Sequence, residues 1–124
     1  MITGVFSDYE ARVSLLVLGP NGEEQGVAAV IDTGFSGFLS LPAAVVEALG
    51  LPWLGRGQAL VGDGSHQAFD LYRATVVWGD EPRPVQVAST ETEPLLGVSM
   101  LYGHDLRIQF IEDGAVAIEE LEYM

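Results

Sequence analysis

Asp32 is the residue of this chain whose surroundings call most clearly for chemistry. It follows Val27-Ala28-Ala29-Val30-Ile31, a run that reads as a buried strand, and it precedes the glycine-rich turn Thr33-Gly34-Phe35-Ser36-Gly37. A carboxylate at the end of a buried strand loses hydration, so it must be hydrogen-bonded or protonated. Thr33 and Gly34 can meet that need, one with a hydroxyl and both with backbone N–H groups in a tight turn. The alternative is that Asp32 only caps the turn, as Asp-x-Gly sequences often do. Other candidates are weaker. His66 and His104 have no Ser or Cys partner at a recognisable spacing and read as surface or turn residues. Trp53 and Trp78 lack the interleaved basic residues of nucleic-acid binders and read as core or interface. The chain has no cysteine, which excludes a thiol nucleophile and a disulfide framework and weighs against a zinc site.

The elements that position Asp32 are read from turn signals and apolar runs. Residues 13–18 and 25–31 form a first hairpin about Gly19-Pro20-Asn21-Gly22. After the Asp32 turn come a short strand over 38–41 and a two-turn helix over 43–49, with Pro42 at its start and Gly50 as its stop. Residues 58–61 and 67–77 are the arms of a second hairpin with Gly62-Asp63-Gly64-Ser65 at its tip. A turn at 79–82 leads to a strand over 84–88. A polar connector at 91–94 follows, then Leu95-Leu96-Gly97-Val98-Ser99-Met100-Leu101, a strand passing into a short helical turn. The chain closes with a hairpin of 106–111 and 115–121 about Asp113-Gly114. There is no internal repeat or linker, so residues 1–124 are read as one domain, all-β with one or two short helices.

Bulk properties narrow the function classes. With 48% hydrophobic and 19% charged residues the chain is globular, and 15 glycines imply many turns between short strands. A net charge of −13 repels nucleic acid and anionic membrane surfaces, so neither is an expected partner. The longest mainly apolar stretch, 28–49, is broken by Asp32, glycines and Pro42 and cannot span a membrane. The first ten residues lack a basic segment followed by an apolar core, so no signal peptide is read there. Together with the absence of cysteine, this makes a cytoplasmic location the expectation.

Val30-Ile31-Asp32-Thr33-Gly34 resembles the hydrophobic-hydrophobic-Asp-(Thr/Ser)-Gly motif of aspartic peptidases, and Leu95-Leu96-Gly97-Val98-Ser99-Met100-Leu101 is similar to the element that retroviral-type members carry further along. Gly62-Asp63-Gly64-Ser65 lies where that family has the tip of its flap. The three elements keep the family's order and spacing over about residues 12–120. The resemblance implies a closed, barrel-like acid-protease half (retropepsin-like), with Asp32, Thr33 and Gly34 catalytic. It also implies that Phe35, Ser36, Gly62, Asp63, Gly64 and Ser65 contact a peptide or protein substrate. No metal or other cofactor is implied. Because the chain carries one motif, the second carboxylate must come from an identical subunit across a two-fold axis, so a homodimer is implied. Two carboxyls facing one water share a proton. The ionised one takes a proton from the attacking water, and the protonated one donates to the peptide carbonyl oxygen. Each Thr33 hydroxyl is implied to bond across the axis. A catalytically weak, peptide-binding or scaffold domain of the same fold is the alternative, and an oligomerisation module a weaker one. Two departures stand out. Phe35 replaces the small residue or serine that follows the motif in the family, and it either buries the loop or shapes a substrate pocket. Ser36 either supplies the missing hydroxyl or is an exposed turn residue. Asp63 adds a charge to the flap tip, where it either selects basic substrates or serves the turn.

Overall fold

In the computed structural model, residues 1–122 are described, and they build a ten-stranded sheet with two short helices. The strands are β1 (Ile2–Ser7), β2 (Glu10–Leu18), β3 (Glu24–Ile31), β4 (Leu39–Pro42), β5 (Trp53–Leu60), β6 (His66–Trp78), β7 (Glu81–Thr90), β8 (Leu95–Leu96), β9 (His104–Ile108) and β10 (Gly114–Glu120). Helix α1 (Ala43–Ala48) follows β4, and α2 (Val98–Leu101) follows β8. Strands account for 59% of the structure, so the chain is all-β with two short helices, as read from the turn spacing. No helix among the described residues is long and apolar enough to cross a membrane.

Strand order is β5-β6-β7-β4-β8-β3-β2-β1-β10-β9, and β6 also pairs with β2 through Leu16–Val77, Val17–Val76 and Leu18–Thr75. That extra pairing closes β2, β3, β8, β4, β7 and β6 into a hydrogen-bonded ring. Most neighbours are antiparallel, but β3 runs parallel to β8 and β4 parallel to β7. Alternation explains which way each strand faces. On β2, Ala11, Val13, Leu15 and Val17 are buried while Ser14 and Leu16 face out. Leu39 and Leu41 of β4, Val76 of β6, Val87 of β7 and Leu96 of β8 meet them inside the ring, where each is fully buried. Burying a side chain of this size stabilises the fold by about 1.5–3 kcal/mol, which is why the register cannot slip by one residue.

Turn chemistry matches the sequence where glycine or a small polar residue permits a left-handed backbone. Gly79 and Asp80, with φ of 56° and 73°, make the tight connection between β6 and β7. Gly50, with φ of 62°, ends α1, whose first turn is entered through Pro42. Three expectations differ from the structure. The first is the leading arm of the second hairpin, read as 58–61, which is β5 over Trp53–Leu60. Strand β1 was not read, because Gly4 interrupts its inward-facing positions between Ile2 and Phe6. A Cβ at Gly4 would overlap the Arg12 carbonyl oxygen of β2, so the glycine permits the close strand crossing. The last hairpin also opens earlier than read: β9 ends at Ile108, and residues 109–113 form a loop rather than strand.

Candidate active site

Asp32 stands at the exit of β3, beside the core but open to solvent on one side. Its backbone N–H donates to the Leu96 carbonyl of β8 (2.9 Å), and its own carbonyl accepts from Phe35 N–H (3.1 Å), which closes the turn. Within that turn the Gly34 N–H donates to Asp32 Oδ1 at 2.9 Å. Thus one carboxylate oxygen is held by the backbone, and Asp32 lines a cavity of about 510 Å³. Thr33 is exposed, and its hydroxyl has no hydrogen-bond partner among the described residues.

The segment after β8 laces this turn in place. Gly97 N–H donates to the Phe38 carbonyl (3.0 Å), Val98 N–H to the Phe35 carbonyl (2.9 Å) and Ser99 N–H to the Gly37 carbonyl (3.2 Å). Ser99 Oγ adds a 2.6 Å bond to the Ser36 carbonyl oxygen. Two glycines allow the two loops to approach so closely. A Cβ on Gly97 would overlap the Gly37 carbonyl oxygen and would lie 2.7 Å from Phe35 Cδ2, and one on Gly37 would crowd the end of the Phe35 ring. Phe35 fills the space those glycines leave. It is 2% exposed and packs with Ala59 and Ala88, and Phe69, Leu71 and Leu95 lie around it. Of the two roles read for Phe35, burial of the loop is the one that its packing supports, although it also lines the cavity wall.

The β5–β6 hairpin roofs the cavity. Its tip spans residues 61–65, and the Gly62 Cα lies 3.2 Å from where a Cβ on Gly34 would be, so glycine faces glycine at the closest approach. Ser36 does not bond the Asp32 carboxylate. It pins the base of the roof instead: Ser36 N–H donates to the Leu60 carbonyl (3.0 Å), and Ser36 Oγ accepts from Leu60 N–H (2.8 Å). The reading of Ser36 as an exposed turn serine is corrected accordingly; it is half-buried and joins the Asp32 turn to the hairpin. Ser36→Ala is expected to remove one of these two bonds, a loss of about 1 kcal/mol. The Leu60 amide should then exchange with solvent roughly fivefold faster, a change read by hydrogen-exchange mass spectrometry.

At the tip, Asp63 serves the turn. Its Oδ1 accepts from Ser65 Oγ (2.6 Å) and from Ser65 N–H (2.9 Å). These bonds, the hydroxyl first, hold the fully exposed Asp63 carboxyl below its ordinary value of 3.8. A depressed folded-state pKa means that the turn's contribution is fully present above the ordinary value and fades as pH falls through the lowered one. Ser65→Ala is therefore expected to move the Asp63 titration back up toward 3.8, as followed by carbonyl NMR. An unchanged titration would show that the tip is not organised by this pair.

Residues outside the expected catalytic and substrate-contact set complete the cavity. Val61, Phe69 and Leu95 supply apolar wall, and Ser40, Gln67, Ser89 and Thr90 the polar groups. Glu91, on the exposed connector, is the other carboxylate that lines it. Ser40 is fully buried and accepts from Leu95 N–H (3.1 Å), which anchors β8 beside the Asp32 turn. A serine inside an apolar strand was the signal available for it. Asp63, Gly64 and Ser65 belong to the tip but, like Ser36, do not line the cavity; of the residues expected to contact substrate, Phe35 and Gly62 do.

A larger cavity, about 590 Å³, lies at the opposite end of the sheet, where β1 and β7 begin and β6 and β10 end. Three of its polar side chains, those of Trp78, His104 and Arg83, are engaged in hydrogen bonds. The Trp78 indole N–H donates to His104 Nε2 (3.0 Å), so Nδ1 carries the ring hydrogen and donates to the Tyr102 carbonyl (3.0 Å). Arg83 donates to the Met100 carbonyl (3.0 Å) and lies near the faces of Phe38 and Trp78. His104 is thus half-buried and bonded to Trp78, unlike the exposed His66, while Trp53 is 62% exposed. These contacts clamp the end of α2 and leave the Asp32 cavity as the candidate site. Compared with protein-family models, curated proteins and solved structures, the chain matches none.

Proposed function

We propose that this chain is one half of a homodimeric aspartic endopeptidase of retroviral type, cutting peptide bonds with a water held between two Asp32 carboxylates. One observation carries the reading. Asp32 is presented at the end of a core strand, one oxygen fixed by Gly34 N–H, beneath a hairpin roof and against a cavity of about 510 Å³ with apolar and polar walls. A carboxylate that only capped its turn would need neither the roof nor the cavity. The exposed Thr33 hydroxyl supports the second half of the reading, since it is free to bond a partner across a two-fold axis. In the dimer the ionised Asp32 takes a proton from the water as the water's oxygen bonds to the peptide carbonyl carbon. The protonated Asp32 stabilises the tetrahedral intermediate by donating to its oxygen. Proton return to the departing amine then releases both fragments. The cycle uses these two groups and water alone.

The test is cleavage of a peptide library by the wild type between mildly acidic and neutral pH, with Asp32→Asn as control. Cleavage that depends on Asp32 supports the peptidase. A wild type that binds peptides in the same cavity and cuts none would make this a peptide-binding domain.

A further inference from the structure

We infer that Glu91 sets the substrate class of the Asp32 cavity: peptides that carry a lysine or arginine a short way along the chain from the bond that is cut. The inference rests on the peptidase reading above and adds to it a residue that takes no part in the chemistry. Among the described residues, those lining the cavity include two carboxylates, Asp32 and Glu91, and no arginine, lysine or histidine. In the peptidase reading Asp32 is committed to the attacking water. Glu91 has no such task, and its charge is left for the substrate to meet.

Sheet order brings the two acids to one cavity. From the strand that ends at Asp32 the order runs β3-β8-β4-β7, and Glu91 is the first residue after β7. Leu95 of β8, Ser40 of β4 and Thr90 of β7 line the cavity along that path. Three strand spacings, ~14 Å across the sheet, separate its two ends. With the cut bond at Asp32, it is a residue further along the peptide that meets Glu91. Holding the fold does not occupy Glu91. It is exposed and has no hydrogen bond or ion pair among the described residues. Glu93, two positions on, faces Arg12 at 3.7 Å and lies outside the cavity. One connector thus carries a glutamate with a cation and a glutamate without.

The walls suit a long basic side chain. Phe69 and Leu95 give apolar surface to its methylene stem, while Gln67, Ser89 and Thr90 carry oxygen acceptors for its N–H groups. A neutral side chain seated against Glu91 strips water from the carboxylate and returns nothing, whereas a cation compensates it. Discrimination therefore has two parts, the pair formed with the right peptide and the unpaired charge left by the wrong one.

Pools of a peptide library with lysine or glutamine fixed at each position in turn test the inference. Cleavage by the intact chain should be faster for the lysine pool at a position away from the cut. Glu91→Gln should lower the lysine-over-glutamine ratio of kcat/KM there roughly fivefold, the upper range for an exposed pair. Glu91→Lys should turn the preference to glutamine. Glu93→Gln removes the same charge from the same connector and should leave the ratio as it is, which separates contact in the cavity from the general field of a chain with net charge −13. Cleavage without a lysine preference, or an equal fall in both glutamine variants, overturns the inference while the dyad stands. If the wild type cuts nothing, fluorescence anisotropy of the same labelled pools decides. Tighter binding of a lysine pool, with the excess lost in Glu91→Gln, keeps the preference of the cavity and ends the peptidase reading; equal binding, or none, overturns both.

Discussion

Mixing equal amounts of wild-type and Asp32→Asn chains, with time for subunits to exchange, is expected to leave about a quarter of the wild-type cleavage rate per total chain, not half. In the proposed dimer each active unit needs two intact carboxylates across a two-fold axis, so activity would follow the square of the wild-type fraction. A single-chain site would follow the fraction itself. Asp32→Asn alone should lower turnover by about 10³-fold or more, because an amide can neither take the proton of the attacking water nor share one with its twin. The fold should be nearly untouched. The Asn side-chain oxygen can still accept from Gly34 N–H, and the backbone bond from Asp32 N–H to the Leu96 carbonyl is independent of the side chain. Asp32→Ala is the poorer variant, since it leaves the Gly34 N–H without its acceptor. An unchanged melting midpoint, retained dimers and lost cleavage together would tie Asp32 to chemistry. A linear mixing curve would sink the dyad.

The second large effect is expected from Phe35. Phe35→Ala should destabilise the fold by about 3–5 kcal/mol, a large part of the ~5–15 kcal/mol that holds a domain of this size together. The ring is 2% exposed and occupies the space between Gly37 and Gly97, where two loops meet without side chains of their own. Removing it leaves a void that the lacing bonds from Gly97, Val98 and Ser99 prevent from collapsing. Urea unfolding measures the loss. If Phe35 were chiefly a substrate-contact residue, the alanine variant would keep wild-type stability and show a raised KM instead. The complementary change, Gly97→Val, overfills the same space and should be as damaging, because its Cβ would overlap the Gly37 carbonyl oxygen.

Both expectations depend on Gly37 and Gly97, and the sequence shows why only part of this was legible. Gly97 was noticed as one member of a motif, but nothing in the chain says that it touches Gly37, sixty positions away. The contact exists because β8 pairs with β3 on one side and with β4 on the other, which carries the 97–99 segment across the Asp32 turn. The pairing of Ser36 with Leu60 has the same character. A serine in a polar turn has no local mark that distinguishes solvent contact from a bond to a hairpin base.

What the residues determined alone is local. Apolar alternation and turn chemistry specified the β-rich class, the helix between Pro42 and Gly50, the hairpin tip at Gly62–Ser65 and the placement of Asp32 at the end of an apolar run. Each depends on neighbours a few positions apart, within reach of sequence pattern. Tertiary structure decided the rest: the ring closed by β6 on β2, the burial of Phe35, and the clip of Ser36 on Leu60. These follow from long-range strand pairing, whose partners are chosen by how the whole apolar surface is buried at once, and no window of neighbouring residues contains that choice.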